Sequence, residues 1–172
     1  MSSNTQKKNW KKRELFLDFS IVLNSSPTII LLNSGREDLL KKLFKRILLP
    51  EAVLEEVTKQ KDRAGLLLPE LSWIEIVKTE IISDVALWNI GKGESEVISY
   101  VKSNSSLVAV IDDASARKCA ETIDIQYIGT VGILLKAKKE KLISSLKTEM
   151  NELILLLATT FKGNRFVFGR KV

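Results

Sequence analysis

From Leu107 to Ile111 the chain runs Leu-Val-Ala-Val-Ile, five apolar residues with no polar face, and then stops at Asp112-Asp113. A strand that alternates apolar with polar residues needs cover on one face only, whereas this one must be covered on both. That requirement points to a parallel sheet between helices, because helical crossovers are what place cover on both faces. Shorter pieces of the same kind recur. Phe19 to Leu23 reads as a buried strand ending at Asn24, Ile47 to Leu49 as a second, and Ile125 to Ile128 as another. Ser72 to Val77 alternates, with Trp73 on one face and Ile74 and Ile76 on the other. The expected class is α/β with a mainly parallel central sheet.

Helical segments fill the intervals. Pro27 suits the first turn of a helix with Ser26 as its cap, running through Thr28 to Asn33 until Gly35 breaks it. Glu37 to Phe44 sets Leu39, Leu40 and Leu43 on one face, and Pro50 opens a helix whose buried face is marked by Val53 and Val57. Lys59 to Leu66 reads as loop. Gly91-Lys92-Gly93 reads as a turn before a helix over Glu94 to Val101. Further helices are expected up to Thr122, from Gly129-Thr130 to Lys139, and over Ser145 to Ala158. Leu153 to Leu157 either packs into the core or forms a dimer face, and Phe166 to Phe168 reads as a terminal strand. Trp73, Trp88 and Cys119 read as packing residues.

Composition removes whole classes of chemistry. The 172 residues contain no histidine and one cysteine, which excludes His-based triads, histidine metal ligands, Cys/His zinc sites and an internal disulfide. Catalysis would rest on carboxylates, lysines, hydroxyls or a hard cation held by oxygen. The net charge of +6 is concentrated at the ends. Residues 1–14 carry five bases and one acid, and residues 162–172 carry four bases and no acid, which leaves −2 for the body. Residues 1–13 read as a basic N-terminal extension and residues 14–172 as a single domain. The two ends are either solvated termini or arms that touch phosphate. No apolar run reaches the ~20 residues of a membrane span, and Asp18 interrupts the stretch from Phe16 to Leu23, which argues against a secretory signal. The expected setting is a reducing cytoplasm.

In an open parallel sheet, sites form just beyond the carboxyl ends of the strands. Here those positions hold Asn24-Ser25-Ser26, Asp112-Asp113 and Gly129-Thr130, while helices opening on the same rim add Glu94 and either Glu55 or Glu56. Carboxylates gathered on one rim repel unless a cation neutralises them, and Mg²⁺ or Mn²⁺ prefers such oxygen ligands. Each residue also has a structural reading. Glu94 suits a helix dipole, Asp112 and Asp113 could be a cap and a first-turn acid, Asp113 with Arg117 is an i, i+4 pair, Glu55 and Glu56 could be a solvated face, and Thr130 could be a cap. A flavodoxin-like small-molecule binder would instead have an acid-poor rim.

Five short motifs occur in order: Asn24-Ser25-Ser26-Pro27, Pro50-Glu51-Ala52-Val53-Leu54-Glu55-Glu56-Val57, Gly91-Lys92-Gly93-Glu94, Asp112-Asp113-Ala114-Ser115-Ala116-Arg117 and Gly129-Thr130-Val131-Gly132. Together, from about Phe19 to Ile143, they resemble the PIN-domain superfamily. More narrowly they are similar to prokaryotic, often toxin-type, PIN-like proteins with a D-S-S-P start and G-x-G-E, D-D-x-x-A-R and G-T-x-G motifs. The resemblance implies a three-layer α/β/α sandwich and an acidic pocket that binds Mg²⁺ or Mn²⁺. It also implies hydrolysis of RNA, a small antitoxin partner and a homodimer. Carried over by position, Glu56, Glu94 and Asp112 are the catalytic acids, Glu56 because it immediately precedes the apolar Val57. Asn24, Ser26, Asp113 and Thr130 are accessory, and the ion falls to Glu94 and Asp112 with Asn24. One departure stands out, since the family's first acid is Asn24 here. Its amide oxygen can coordinate but brings no charge, so affinity for the ion should fall. Two readings follow: a metal-dependent endoribonuclease, or a catalytically degenerate module that binds RNA or protein.

Overall fold

The computed structural model describes residues 19–160. The basic N-terminal segment, the basic residues 162–172 and the strand expected at Phe166 to Phe168 lie outside them. Among the described residues, five strands form one all-parallel sheet: β1 (Ser20–Leu23), β2 (Ile47–Pro50), β3 (Ile74–Val77), β4 (Leu107–Val110) and β5 (Tyr127–Ile128). Their order is β3-β2-β1-β4-β5. The chain therefore builds outward from β1 in one direction and then returns to its other side, so the topological switch lies between β1 and β4. Ser20 to Leu23 pair in register with Leu107 to Val110, and every residue of both strands is buried. The double-sided cover expected of the Leu107 run is present.

Helices flank the sheet: α1 (Ser25–Asn33), α2 (Glu37–Leu43), α3 (Glu51–Thr58), α4 (Arg63–Leu67), α5 (Ser83–Ala86), α6 (Lys92–Ser103), α7 (Ala114–Thr122), α8 (Thr130–Lys139) and α9 (Leu146–Thr160). The architecture is an α/β/α sandwich. α6 packs on β1, β2 and β4, while α8 and α9 pack together and against α1. The buried faces are those the helical spacings mark: Leu39, Leu40 and Leu43 in α2, Val53 and Val57 in α3, and Val97, Ile98 and Val101 in α6. Gly35 follows α1 with φ +70°, a left-handed conformation that favours glycine and ends the helix. Arg36, in the same connection, ties down α9 through Glu149 at 2.6 and 2.9 Å and Glu152 at 3.1 Å. The hydrogen bond to Glu149 raises the guanidinium pKa further. No helix among the described residues is long and apolar enough to cross a membrane.

Several local expectations need correcting. Asn24, not Ser26, is the N-cap of α1. The interval from Lys59 to Leu66 is not all loop, because Asp62 caps α4 by accepting from the Gly65 N–H at 2.9 Å. Asn33 clamps the same turn, donating to Asp62 at 2.8 Å and accepting from the Ala64 N–H at 2.7 Å. Gly65 sits where a Cβ would run into the Gln60 carbonyl oxygen and come 2.9 Å from that of Val57, so it marks a close backbone approach. In β3, Ile74 is buried but Ile76 is 45% exposed, since this is an edge strand with little above it. The strand expected over Ile125 to Ile128 shortens to Tyr127–Ile128, after Asp124 turns the chain at φ +56°. α5 has no counterpart in the sequence reading. In α9, Leu153 is buried while Ile154 and Leu155 are 59% and 66% exposed, so the segment divides between core and surface. Trp73 and Trp88 pack against the core, and Cys119 is buried, which raises its thiol pKa.

Candidate active site

The switch between β1 and β4 is where an open parallel sheet leaves a crevice beyond its strand ends. Asn24 is the first residue past β1, its N–H bonded to the Val110 carbonyl at 3.2 Å. Asp112 follows β4 by one buried residue, Ile111. α6 brings in Glu94 from its first turn, and α3 brings in Glu56. Glu56 is half-buried and its neighbour Glu55 exposed, which separates the two acids that spacing alone left equivalent.

A chain of contacts joins three of these segments. Asn24 is fully buried and donates its Nδ2–H to Glu94 Oε1 at 3.1 Å. Ser25, the next residue, donates its hydroxyl to Glu56 Oε2, and the Gly93 N–H approaches Glu56 Oε1 at 3.3 Å. Two glycines make room for these acids. A Cβ at Gly91 would overlap Glu94 Oε2, and one at Gly93 would lie 2.9 Å from Glu56 Oε2. The Gly-Lys-Gly run is therefore not a free turn, because α6 begins at Lys92 with Gly91 as its cap.

Asp112 is held by donors of its own. Oδ1 accepts from the Thr130 N–H at 2.9 Å and from Arg117 Nη2 at 3.1 Å, while Oδ2 accepts from the Thr130 hydroxyl at 2.5 Å. Thr130 is thus not a cap. It is the first residue of α8, behind Gly129, and its side chain turns to the aspartate. Gly129 is required by the same closeness, since a Cβ there would lie 2.8 Å from Asp112 Oδ1 and run into Arg117 Nη2. Arg117 also donates from Nε to the Ile111 carbonyl at 2.8 Å. It does not pair with Asp113, which instead caps α7 by accepting from the Ala116 N–H at 2.8 Å and is exposed. Among the ion pairs of the described residues, Arg117 with Asp112 is the one that engages these acids.

Ser26 is exposed in the first turn of α1, and the serine that reaches an acid is Ser25. Glu96 is a residue that sequence reasoning missed altogether. It lies on α6, is 6% exposed, and accepts from the Ala52 N–H at the start of α3 at 3.0 Å. Pro50, the N-cap of α3, has no side-chain cap of its own to offer, so α6 supplies one. The helices bearing Glu94 and Glu56 are thereby fixed to each other. An acid beside the apolar face of α6, immediately before Val97, was the available signal.

As the side chains stand, no three Asp, Glu, His or Cys residues among the described residues are grouped to hold an ion. The donor chemistry nonetheless fits a hard divalent cation. Every candidate ligand atom is oxygen, and Asn24 Oδ1 is buried with no hydrogen-bond partner among the described residues. Glu94 keeps its second oxygen clear of any protein donor found among the described residues.

No curated protein matches this sequence. Residues 20–156 match the family model described as DUF3368, a PIN domain. That span runs from the first residue of β1 into α9 and takes in the whole rim from Asn24 to Thr130, so the chain belongs to the PIN-domain family.

Proposed function

We propose that the chain is a divalent-metal-dependent endoribonuclease of the PIN type, acting on RNA in the cytoplasm as the toxic member of a toxin–antitoxin pair. The observation that supports this reading is that Asn24 and Ser25, just past β1, reach Glu94 and Glu56, and that Asn24 Oδ1 is buried with no donor among the described residues; Asp112 follows the adjacent strand β4. Glu94 and Asp112, with Asn24 Oδ1, would hold Mg²⁺ or Mn²⁺. When bound, the ion supplies a water of lowered pKa and positive charge for the scissile phosphate. The protein's own work is orientation. Thr130 and Arg117 hold the Asp112 carboxylate, Ser25 and the Gly93 N–H hold that of Glu56, and Asp113 starts α7. Glu56 would accept a proton from an attacking water. Exposed Ile154 and Leu155 support a surface for a second copy, and a small antitoxin would be the inhibitory partner.

The test is cleavage of single-stranded RNA by the purified chain with Mn²⁺, and by Glu94→Ala and Asp112→Ala variants. Cleavage that both variants lose, and that chelation abolishes, is the expected result. Cleavage that survives both substitutions refutes the assignment. The neutral Asn24, whose amide N–H already binds Glu94, favours a second reading as a non-hydrolytic PIN module that binds RNA or protein. RNA binding by the parent without cleavage at any Mn²⁺ concentration would select it.

A further inference from the structure

Asn24 occupies an N-cap position without behaving as a cap. Caps ordinarily accept from the second or third backbone N–H of their helix. The Asn24 side chain makes no such bond, and the Thr28 hydroxyl goes to its main-chain carbonyl at 2.7 Å instead. The amide crosses to Glu94, 70 residues away, while being 0% exposed. Its orientation follows from chemistry. Reversing the amide would set Oδ1 against a carboxylate oxygen, two acceptors face to face. With Nδ2 committed to Glu94, Oδ1 is left buried with no donor among the described residues, a standing cost in stability.

We propose that Asn24 does for Glu94 what a bound cation would otherwise do. The amide N–H holds the carboxylate without an ion, and the orphaned Oδ1 is a neutral ligand position for the ion when it arrives. The fold of this chain is therefore largely independent of metal, and the ion binds a pocket one charge poorer than an all-carboxylate one. An aspartate at position 24 would put two carboxylates at the separation now spanned by a 3.1 Å hydrogen bond. Such a pair needs a shared proton or a cation, so the substitution should make stability depend on metal. The proposal rests on the reading above in one respect only, that this rim takes a divalent cation.

The test is thermal unfolding in EDTA and in about 1 mM Mn²⁺, with calorimetric Mn²⁺ titration, on the full chain. The parent, Asn24→Asp, and the double variant Asn24→Asp with Glu94→Gln are compared. The parent should unfold within about 2 °C of the same temperature in both media. Asn24→Asp should lose about 4 °C or more in EDTA, recover it in Mn²⁺, and bind the ion at least about tenfold more tightly. The double variant restores a donor–acceptor pair with the roles exchanged, and should be as indifferent to EDTA as the parent. If Asn24→Asp folds only with Mn²⁺ present, the proposal is supported. If it folds in neither medium, the double variant decides: folding supports the proposal and failure overturns it. Equal losses on chelation for parent and Asn24→Asp, or no gain in Mn²⁺ affinity, also overturn it. None of these readouts is RNA cleavage. If neither protein binds Mn²⁺, the cation reading falls and this proposal with it. If Glu94→Ala and Asp112→Ala abolish cleavage while Asn24→Asp leaves metal coupling unchanged, this proposal alone falls.

Discussion

Replacing Glu96 tests whether a buried acid on α6 organises the start of α3. The carboxylate accepts from the Ala52 N–H at 3.0 Å while only 6% exposed, so water cannot easily replace it. A hydrogen bond to a charged group contributes about 1.5–3 kcal/mol, and an acid at a helix N-terminus adds about 0.3–1 kcal/mol. Against these stands the relief of taking a carboxylate out of a buried site, which lowers the net. Lys92, 3.7 Å from Glu96 and 64% exposed, adds little because solvent screens it. Glu96→Ala should therefore cost about 2–3 kcal/mol, through a lost cap and an unfilled space. Glu96→Gln keeps the volume and an acceptor oxygen and should cost about 1 kcal/mol. With a urea m-value of about 2 kcal/mol/M, the midpoints fall by about 1–1.5 M and about 0.5 M. Urea unfolding followed by the fluorescence of Trp73 and Trp88, which pack against the core, reads this directly. Equal midpoints for the two variants, or a fall below about 0.3 M for Glu96→Ala, would refute the capping argument.

Other outcomes follow from the site and the surface. Ser25→Ala should lower RNA cleavage by about tenfold through a less fixed Glu56, while Ser26→Ala, at an exposed position, should leave it unchanged; equal rates would reverse the assignment. Gly129→Ala should reduce cleavage more than it reduces melting temperature, because its Cβ displaces Arg117 and crowds Asp112 Oδ1; parallel loss of both would point to simple misfolding. Arg46, hydrogen-bonded to Glu75 at 2.6 and 2.9 Å, holds the Glu75 carboxyl below its ordinary value of 4.5. A carboxyl with a depressed folded pKa contributes stability above its unfolded pKa and loses it as pH falls through the folded one. Glu75→Gln should therefore flatten melting temperature against pH below about 4.5. The effect is small and shrinks with salt, since both side chains are about half exposed. An unchanged acid limb would remove the pair from the account.

The legible part of the fold was whatever depends on residues near each other in sequence. Five consecutive apolar residues from Leu107 demanded cover on two faces, and the helices that supply it announced themselves by spacings such as Val53 with Val57. Misreadings fell where distant contacts override local preference. Lys59 to Leu66 reads as loop until Asn33 and Asp62 are seen to hold α4 in place. Ile76 shares a strand face with the buried Ile74 yet is exposed, because β3 is the sheet edge. Arg117 looks like the partner of Asp113 at helical spacing, yet it turns to Asp112, which is not in the helix at all.

The sequence by itself determined the parallel sheet, the acids near its rim and the absence of any histidine chemistry, because side-chain type and periodicity are local properties. The tertiary structure alone decided which donor each acid would meet: Asn24 for Glu94, Ser25 for Glu56, Thr130 and Arg117 for Asp112, and Ala52 for Glu96. Hydrogen bonds form or fail over a few tenths of an ångström. The partners here stand as far as 70 residues apart, so only the packing of α3, α6 and α8 against the sheet can bring them to that distance.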